Sequence, residues 1–180
     1  MTQGRVRRVV TGFDETGRST IVSDGASPAI KSVPGRPDYY STNIWRTGPA
    51  PVDITEPDGV DALEGVLPPE KGTVLRVIDF PPEPEDPAER ARQLRASFGK
   101  IFDDADTSKS DDIHPGMHQT DTVDYAIVLE GEIVAVLEEA ETVLKAGDIL
   151  IQRGTNHAWS NRSGTSCKVA FVLIDGQRPE

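Results

Sequence analysis

Residues 118–131 read His118-Gln119-Thr120-Asp121-Thr122-Val123-Asp124-Tyr125-Ala126-Ile127-Val128-Leu129-Glu130-Gly131, and residues 147–161 read Gly147-Asp148-Ile149-Leu150-Ile151-Gln152-Arg153-Gly154-Thr155-Asn156-His157-Ala158-Trp159-Ser160-Asn161. In an extended strand successive side chains point to opposite faces, so positions 118, 120, 122 and 124 share one wall. Around the two segments, β-rich runs at 122–130, 132–138, 142–145, 148–153, 157–161 and 167–174 follow one another, with Gly131, Gly147, Gly154 and Gly164 at the joints. Short strands at such even spacing predict a sandwich or barrel.

Upstream the pattern is looser. Residues 5–11 and 18–23 are β-rich and flank Asp14-Glu15-Thr16-Gly17, which reads as a hairpin turn. Residues 24–42 are polar with Pro and Gly and read as a surface loop; 42–47 is a short strand, and 48–72, with five prolines, a long irregular connection. Residues 73–80 form a strand stopped by Pro81-Pro82. One helix is signalled: Asp86 as N-cap, Pro87 at the first helical position and Glu89 at the third, then Ala91, Leu94, Phe98, Ile101 and Phe102 at helical spacing, giving 87–102. The acidic stretch 103–112 reads as a solvated loop. The chain therefore divides into strands and loops over 1–72, packing on a barrel or forming a dimer interface, and a barrel over 73–176.

The 180 residues carry 19 Lys+Arg against 30 Asp+Glu, a formal charge of −11. That balance argues against nucleic acid, which needs cations to neutralise phosphates, and against anionic membrane surfaces. No apolar run approaches the ~20 residues that cross a bilayer, and no apolar stretch follows the arginines at 5, 7 and 8 as a secretion signal requires. A cytoplasmic protein is the expectation. Cys167, the only cysteine, sits in an alternating apolar run and reads as core.

The two quoted segments resemble the paired motifs of the cupin family. His118, Thr120, Asp124 and Gly131 stand where the first motif has His, His, Glu and Gly. Gly147, Gly154, His157 and Asn161 stand on the second, with Gln152 in place of its Pro and one residue fewer between the first two glycines. The resemblance covers about 112–175 and implies an all-β fold, a double-stranded β-helix or jelly-roll barrel with extra N-terminal strands and one helix. It also implies a divalent metal (iron, zinc, manganese or nickel) held by three His and one Glu. Here Asp124 replaces Glu, one methylene shorter, and Thr120 replaces a His with a weak hydroxyl ligand. His118, Asp124 and His157 remain, a set able to form a facial triad.

His114 is a candidate for the missing ligand. Four strand residues separate it from His118 by roughly 13 Å, so joint coordination requires a bend, for which Pro115-Gly116 is placed; a position at the pocket mouth or in a loop is the alternative. Without metal, a buried Asp124 beside two imidazoles suits general acid–base work. Thr120, Trp159, Arg153 and Tyr125 are candidate substrate contacts, although Tyr125 follows Asp124 and so faces away, and Arg153 is equally a rim residue. Gln119 and Asn156 are possible supports for the histidines. The expected function is a small-molecule enzyme, a metal-assisted lyase acting by dehydration or decarboxylation, with a metal-dependent dioxygenase or a ligand-binding cupin as alternatives. A homodimer follows from family habit.

Overall fold

Val74, Ile78 and Phe80 alternate with outward residues along one strand, and Val169, Phe171 and Leu173 do the same along another that runs beside it. Their shared apolar face is the floor of the core. The computed structural model describes residues 6–98, 104–107 and 113–179. Within these lie β1 (Arg7–Phe13), β2 (Ser19–Ala26), β3 (Ile30–Val33), β4 (Arg36–Thr47), β5 (Thr73–Phe80), α1 (Pro87–Phe98), β6 (Thr122–Glu130), β7 (Glu132–Leu137), β8 (Glu141–Lys145), β9 (Ile149–Arg153), β10 (His157–Ser160) and β11 (Cys167–Asp175).

Two sheets face each other. The larger has the order β3-β4-β5-β11-β6-β9 and the smaller β10-β7-β8, while β1 and β2 form a separate hairpin. Every pairing is antiparallel, so turns and short connections suffice to join the strands. Ile133 and Ala135 of β7 and Leu144 of β8 close over Val74, Phe171 and Leu173, and Cys167 is buried among them as expected. Edge-to-face contacts join Tyr39 to Phe80 at 5.9 Å and Phe80 to Phe171 at 6.3 Å.

The six expected strands from 122 to 174 and the strand 73–80 all form, with ends shifted by a residue at most. The hairpin about Asp14–Gly17 forms as well; Asp14 accepts the amides of Thr16 and Arg18 and closes the turn. The loop expected over 24–42 does not. It is largely the β3–β4 hairpin, turned at Pro34-Gly35 with Gly35 at φ +89°, and the twelve-residue β4 pairs with β5 from Tyr40 to Thr47. Its polar composition concealed it, because Ser41, Thr42 and Asn43 are buried by pairing with β5 rather than by their own hydrophobicity.

The helix begins where the capping residues place it. Asp86 accepts the Glu89 amide at 2.8 Å, and Leu94 and Ser97, one turn apart, are buried on its inner face. It is described to Phe98; the expected continuation to 102 lies outside the described residues. Of the acidic stretch 103–112, only 104–107 is described, and Asp104 there is no bystander: its carboxylate takes the amides of Val66 and Leu67 at 2.7 and 2.9 Å, ordering part of the long connection 48–72.

Gly131 turns the chain from β6 to β7 at φ +73°, and a Cβ there would stand 2.7 Å from the Ser166 carbonyl oxygen. Gly147 has φ +97° but open space around it. Gly147→Ala should therefore cost only the left-handed backbone penalty of about 1–2 kcal/mol, and Gly131→Ala should cost roughly 3 kcal/mol or more through the added clash. Urea unfolding of both variants measures the difference; equal losses would show that the carbonyl contact relaxes freely.

Candidate active site

The segment from His118 to Thr122 crosses from one sheet to the other. His118 pairs with His157 through two backbone hydrogen bonds, 2.8 and 2.9 Å, at the edge of the smaller sheet, whereas Thr122 already pairs with Asp175 in the larger. The crossing sets the imidazoles on one wall and Asp124 on the other. Between them lies a cavity of about 70 Å³. At ~10–15 Å³ per water, that is space for several waters or a small organic molecule. His118, Thr120, Asp124, His157 and Trp159 all line it.

Each imidazole has a defined tautomer. The Nδ1 of His118 lies 3.0 Å from the Gly116 carbonyl and that of His157 lies 3.0 Å from the Thr155 carbonyl. A carbonyl only accepts, so both Nδ1 atoms carry the proton and both Nε2 atoms keep a lone pair. The rings stand 4.3 Å apart between centroids. Burial lowers the pKa of His118, and burial together with the neighbouring His118 drives that of His157 down to about 3. Both rings are neutral at pH 7. Trp159 meets the His157 ring edge-on at 5.7 Å and Phe171 at 5.2 Å, fixing the wall they share.

Asp124 is 5% exposed, and its Oδ1 has no hydrogen-bond partner. Burial pushes its pKa up to about 6, against a hydrogen bond from Thr122 and the positive field of Arg76. The Thr120 and Thr122 hydroxyls lie 2.9 Å apart, and either can donate to the other.

Three residues expected at the site are elsewhere. His114 is buried outside the cavity: its Nδ1 accepts the Gly116 amide, so its Nε2–H donates to Glu83 at 3.1 Å, and both nitrogens are spent. Pro115-Gly116 does bend the chain, but it folds His114 toward Glu83, which also takes the Ser160 hydroxyl at 2.8 Å. Tyr125 is 40% exposed on the outer face of β6, as strand alternation requires, and Arg153 is exposed on β9. Gln119 donates to the Gly154 carbonyl and Asn156 to Glu138, so neither supports an imidazole. Among the described residues no three His, Cys, Asp or Glu side chains come together in a way that would hold a metal ion. Of the expected set His118, Asp124, His157 and His114, the first three line the cavity, while His114 is turned away to Glu83.

Two cavity residues escaped the sequence reading. Arg76 on β5 is 1% exposed and donates to the Gly65 and Val66 carbonyls at 3.2 and 3.0 Å. A charged residue at the inward parity of Val74-Leu75-Arg76-Val77-Ile78 was a usable signal. Arg36 opens β4, in the stretch read as loop, where no signal distinguished it.

A cupin-domain family model matches residues 109–174. The chain is 32% identical over 181 residues to the phomopsin biosynthesis cluster protein C' of Diaporthe leptostromiformis, covering 94% of this chain and 78% of that one. It is 29% identical to the cupin-domain-containing oxidoreductase fogC of Aspergillus ruber, covering 95% and 73% respectively. Among solved structures it is similar to a Cupin 2 conserved barrel domain protein from Salinispora arenicola, with 11% identity, coverage of 80% and 82%, and a TM-score of 0.42.

The acid and the imidazoles act on stability with opposite sign. Asp124 binds its proton more tightly in the folded chain, about 6 against 3.8, so its burial lowers stability as pH rises from about 4 to 6. His157, held down to about 3, costs stability as pH falls below its ordinary 6.5. Asp124→Asn isolates the first effect. Its melting temperature should exceed the parent's by roughly 5–10 °C at pH 7.5, from about 3 kcal/mol of relieved burial, and the two curves should meet near pH 4. A pH-independent difference would show that Asp124 ionises normally.

Proposed function

The chain belongs to the cupin family and folds as its double-stranded β-helix, and we propose that it is an enzyme moving a proton on a small carbonyl substrate held in the barrel cavity, a lyase-type dehydration. One observation carries this reading. The buried Oδ1 of Asp124 has no protein partner and belongs to a carboxyl, held near pKa 6, of a residue that lines a cavity admitting a small molecule. Such a group is ionised enough at neutral pH to accept a proton and acidic enough to return it.

A β-hydroxycarbonyl compound illustrates the chemistry. The Asp124 carboxylate takes the proton from the carbon next to the carbonyl, and the electron pair forms a carbon–carbon double bond. The carbon–oxygen bond to the hydroxyl breaks, and the same carboxyl hands its proton to that oxygen, which leaves as water. The Nε2 lone pair of one of the two imidazoles, His118 or His157, accepts the hydrogen bond of the substrate hydroxyl and aims it. Apolar walls from Ile78, Leu94 and Phe171 keep bulk water from competing. The charge of Arg76 favours the negative charge that gathers on the carbonyl oxygen.

A second reading, redox chemistry on the same kind of substrate, is supported by the oxidoreductase name of the Aspergillus ruber relative. The two imidazoles offer a metal two Nε2 donors, and among the described residues no group of three His, Cys, Asp or Glu side chains is placed to hold one.

The test follows small β-hydroxycarbonyl compounds with the purified protein by proton NMR in D2O, watching for alkene signals, alongside an oxygen electrode. Dehydration without oxygen uptake, a rate that rises with pH through about 6, and a loss of about 10²–10⁴-fold in Asp124→Asn are expected. Turnover that consumes oxygen in stoichiometric amounts, or an Asp124→Asn variant at full activity, would overturn the proton-transfer reading.

A further inference from the structure

The cavity carries a second unspent group besides Asp124. Arg36, at the start of β4, is 6% exposed and lines the cavity wall. Its guanidinium offers five N–H donors. One bond uses them, from Nη1 to the Ser97 hydroxyl on α1 at 2.9 Å. The flat face of the group lies 4.1 Å over the Tyr39 ring, which stabilises a cation but takes up none of its N–H donors. Among the described residues Arg36 has no ion pair.

The acids around it are committed elsewhere. Glu83, the carboxylate whose field reaches Arg36, accepts from His114 and Ser160 and pairs with Arg90 at 3.6 Å. Asp104, in the field of Arg76, accepts the Val66 and Leu67 amides. Among the described residues Asp124 is the remaining acid on the cavity, and its field is set against Arg76. Two guanidiniums and one carboxyl thus line the cavity, and among the described residues Arg36 feels the field of Glu83 but has no ion pair. A buried cation without a counter-ion is costly unless an anion arrives to meet it.

We propose that Arg36 anchors a carboxylate on the substrate, and that the occupant of the cavity is a small planar monocarboxylate. The guanidinium fork matches a carboxylate bidentately, a geometry that lysine cannot offer. With its carboxylate on Arg36, the body of the molecule lies against Phe80, Phe171 and Trp159, and its far end reaches toward Asp124 and the imidazoles. Ser97 and Tyr39 hold the guanidinium in place before binding, so little side-chain freedom is lost on association. This deepens the assignment of the cavity as a small-molecule site and rests on it.

Benzoate is the probe, with benzamide as its uncharged counterpart of the same shape, and isothermal titration is the readout. The parent protein should bind benzoate at least tenfold more tightly than benzamide. Arg36→Met should weaken benzoate by about tenfold or more and leave benzamide within about threefold; Arg36→Lys should fall between. Circular dichroism checks that each variant is folded, and if the methionine variant is not, the lysine variant and the benzoate–benzamide ratio on the parent protein decide. Equal affinity for the two probes, no benzoate binding at all, or benzoate binding indifferent to Arg36→Met each overturns the proposal. Asp124→Asn separates this inference from the proton-transfer mechanism: it removes a like charge and should bind benzoate at least as tightly as the parent. Full turnover in that variant with its benzoate affinity intact would sink the mechanism and leave the anchor standing.

Discussion

Two backbone hydrogen bonds between His118 and His157 hold the molecule's working end together. They extend the smaller sheet by one residue pair beyond β10, and the chain then has only residues 119–121 in which to reach the larger sheet at Thr122. That short crossing makes a corner. It places three of the cavity's polar residues, His118 before the corner, Thr120 in it and Asp124 after it, while His157 holds His118 from β10. Residues two apart would share a wall in a continuous strand; here the same parity spans two walls, and a cavity opens between them.

That corner also explains what was legible in the sequence. Gly131, Gly147, Gly154 and Gly164 all adopt positive φ and mark real turns, so the succession of strands could be read from punctuation alone. The paired motifs located His118, Thr120, Asp124 and His157, and all four line one cavity. What could not be read was the register across sheets. His114 shares parity with His118, but its partner Glu83 lies 31 residues away, in the segment after β5, and that distant carboxylate decides where it points. Arg36 was hidden for a related reason. Its strand is polar, and the partner that meets its buried guanidinium, Ser97 on α1, lies 61 residues away, a contact that no local pattern encodes.

The electrostatics of the cavity follow from packing rather than from the overall charge of −11. Excess acid sits in solvent, as at Glu85, Glu138 and Glu139, which are exposed. Inside, burial works on every titratable group in the same sense, against its charged form. It raises Asp124 and lowers both imidazoles, and these shifts push acid and base toward neutrality together. The interior therefore has neutral imidazoles, a carboxyl close to its midpoint, and two arginines that stay charged because their intrinsic basicity is too high for burial to overcome; even Arg76, fully enclosed, is lowered only to about 10.

Thr120 stands where the motif has a histidine, and an imidazole there would bring a third nitrogen donor to the cavity wall. The threonine instead shares a hydrogen bond with Thr122 at 2.9 Å, and Thr122 in turn favours the ionised form of Asp124. The Oδ1 of that carboxyl keeps no partner in the protein. The substitution thus does more than remove a ligand: under the proposed proton-transfer chemistry, it sets a pair of hydroxyls beside the acid where the motif would set an ion-binding ring.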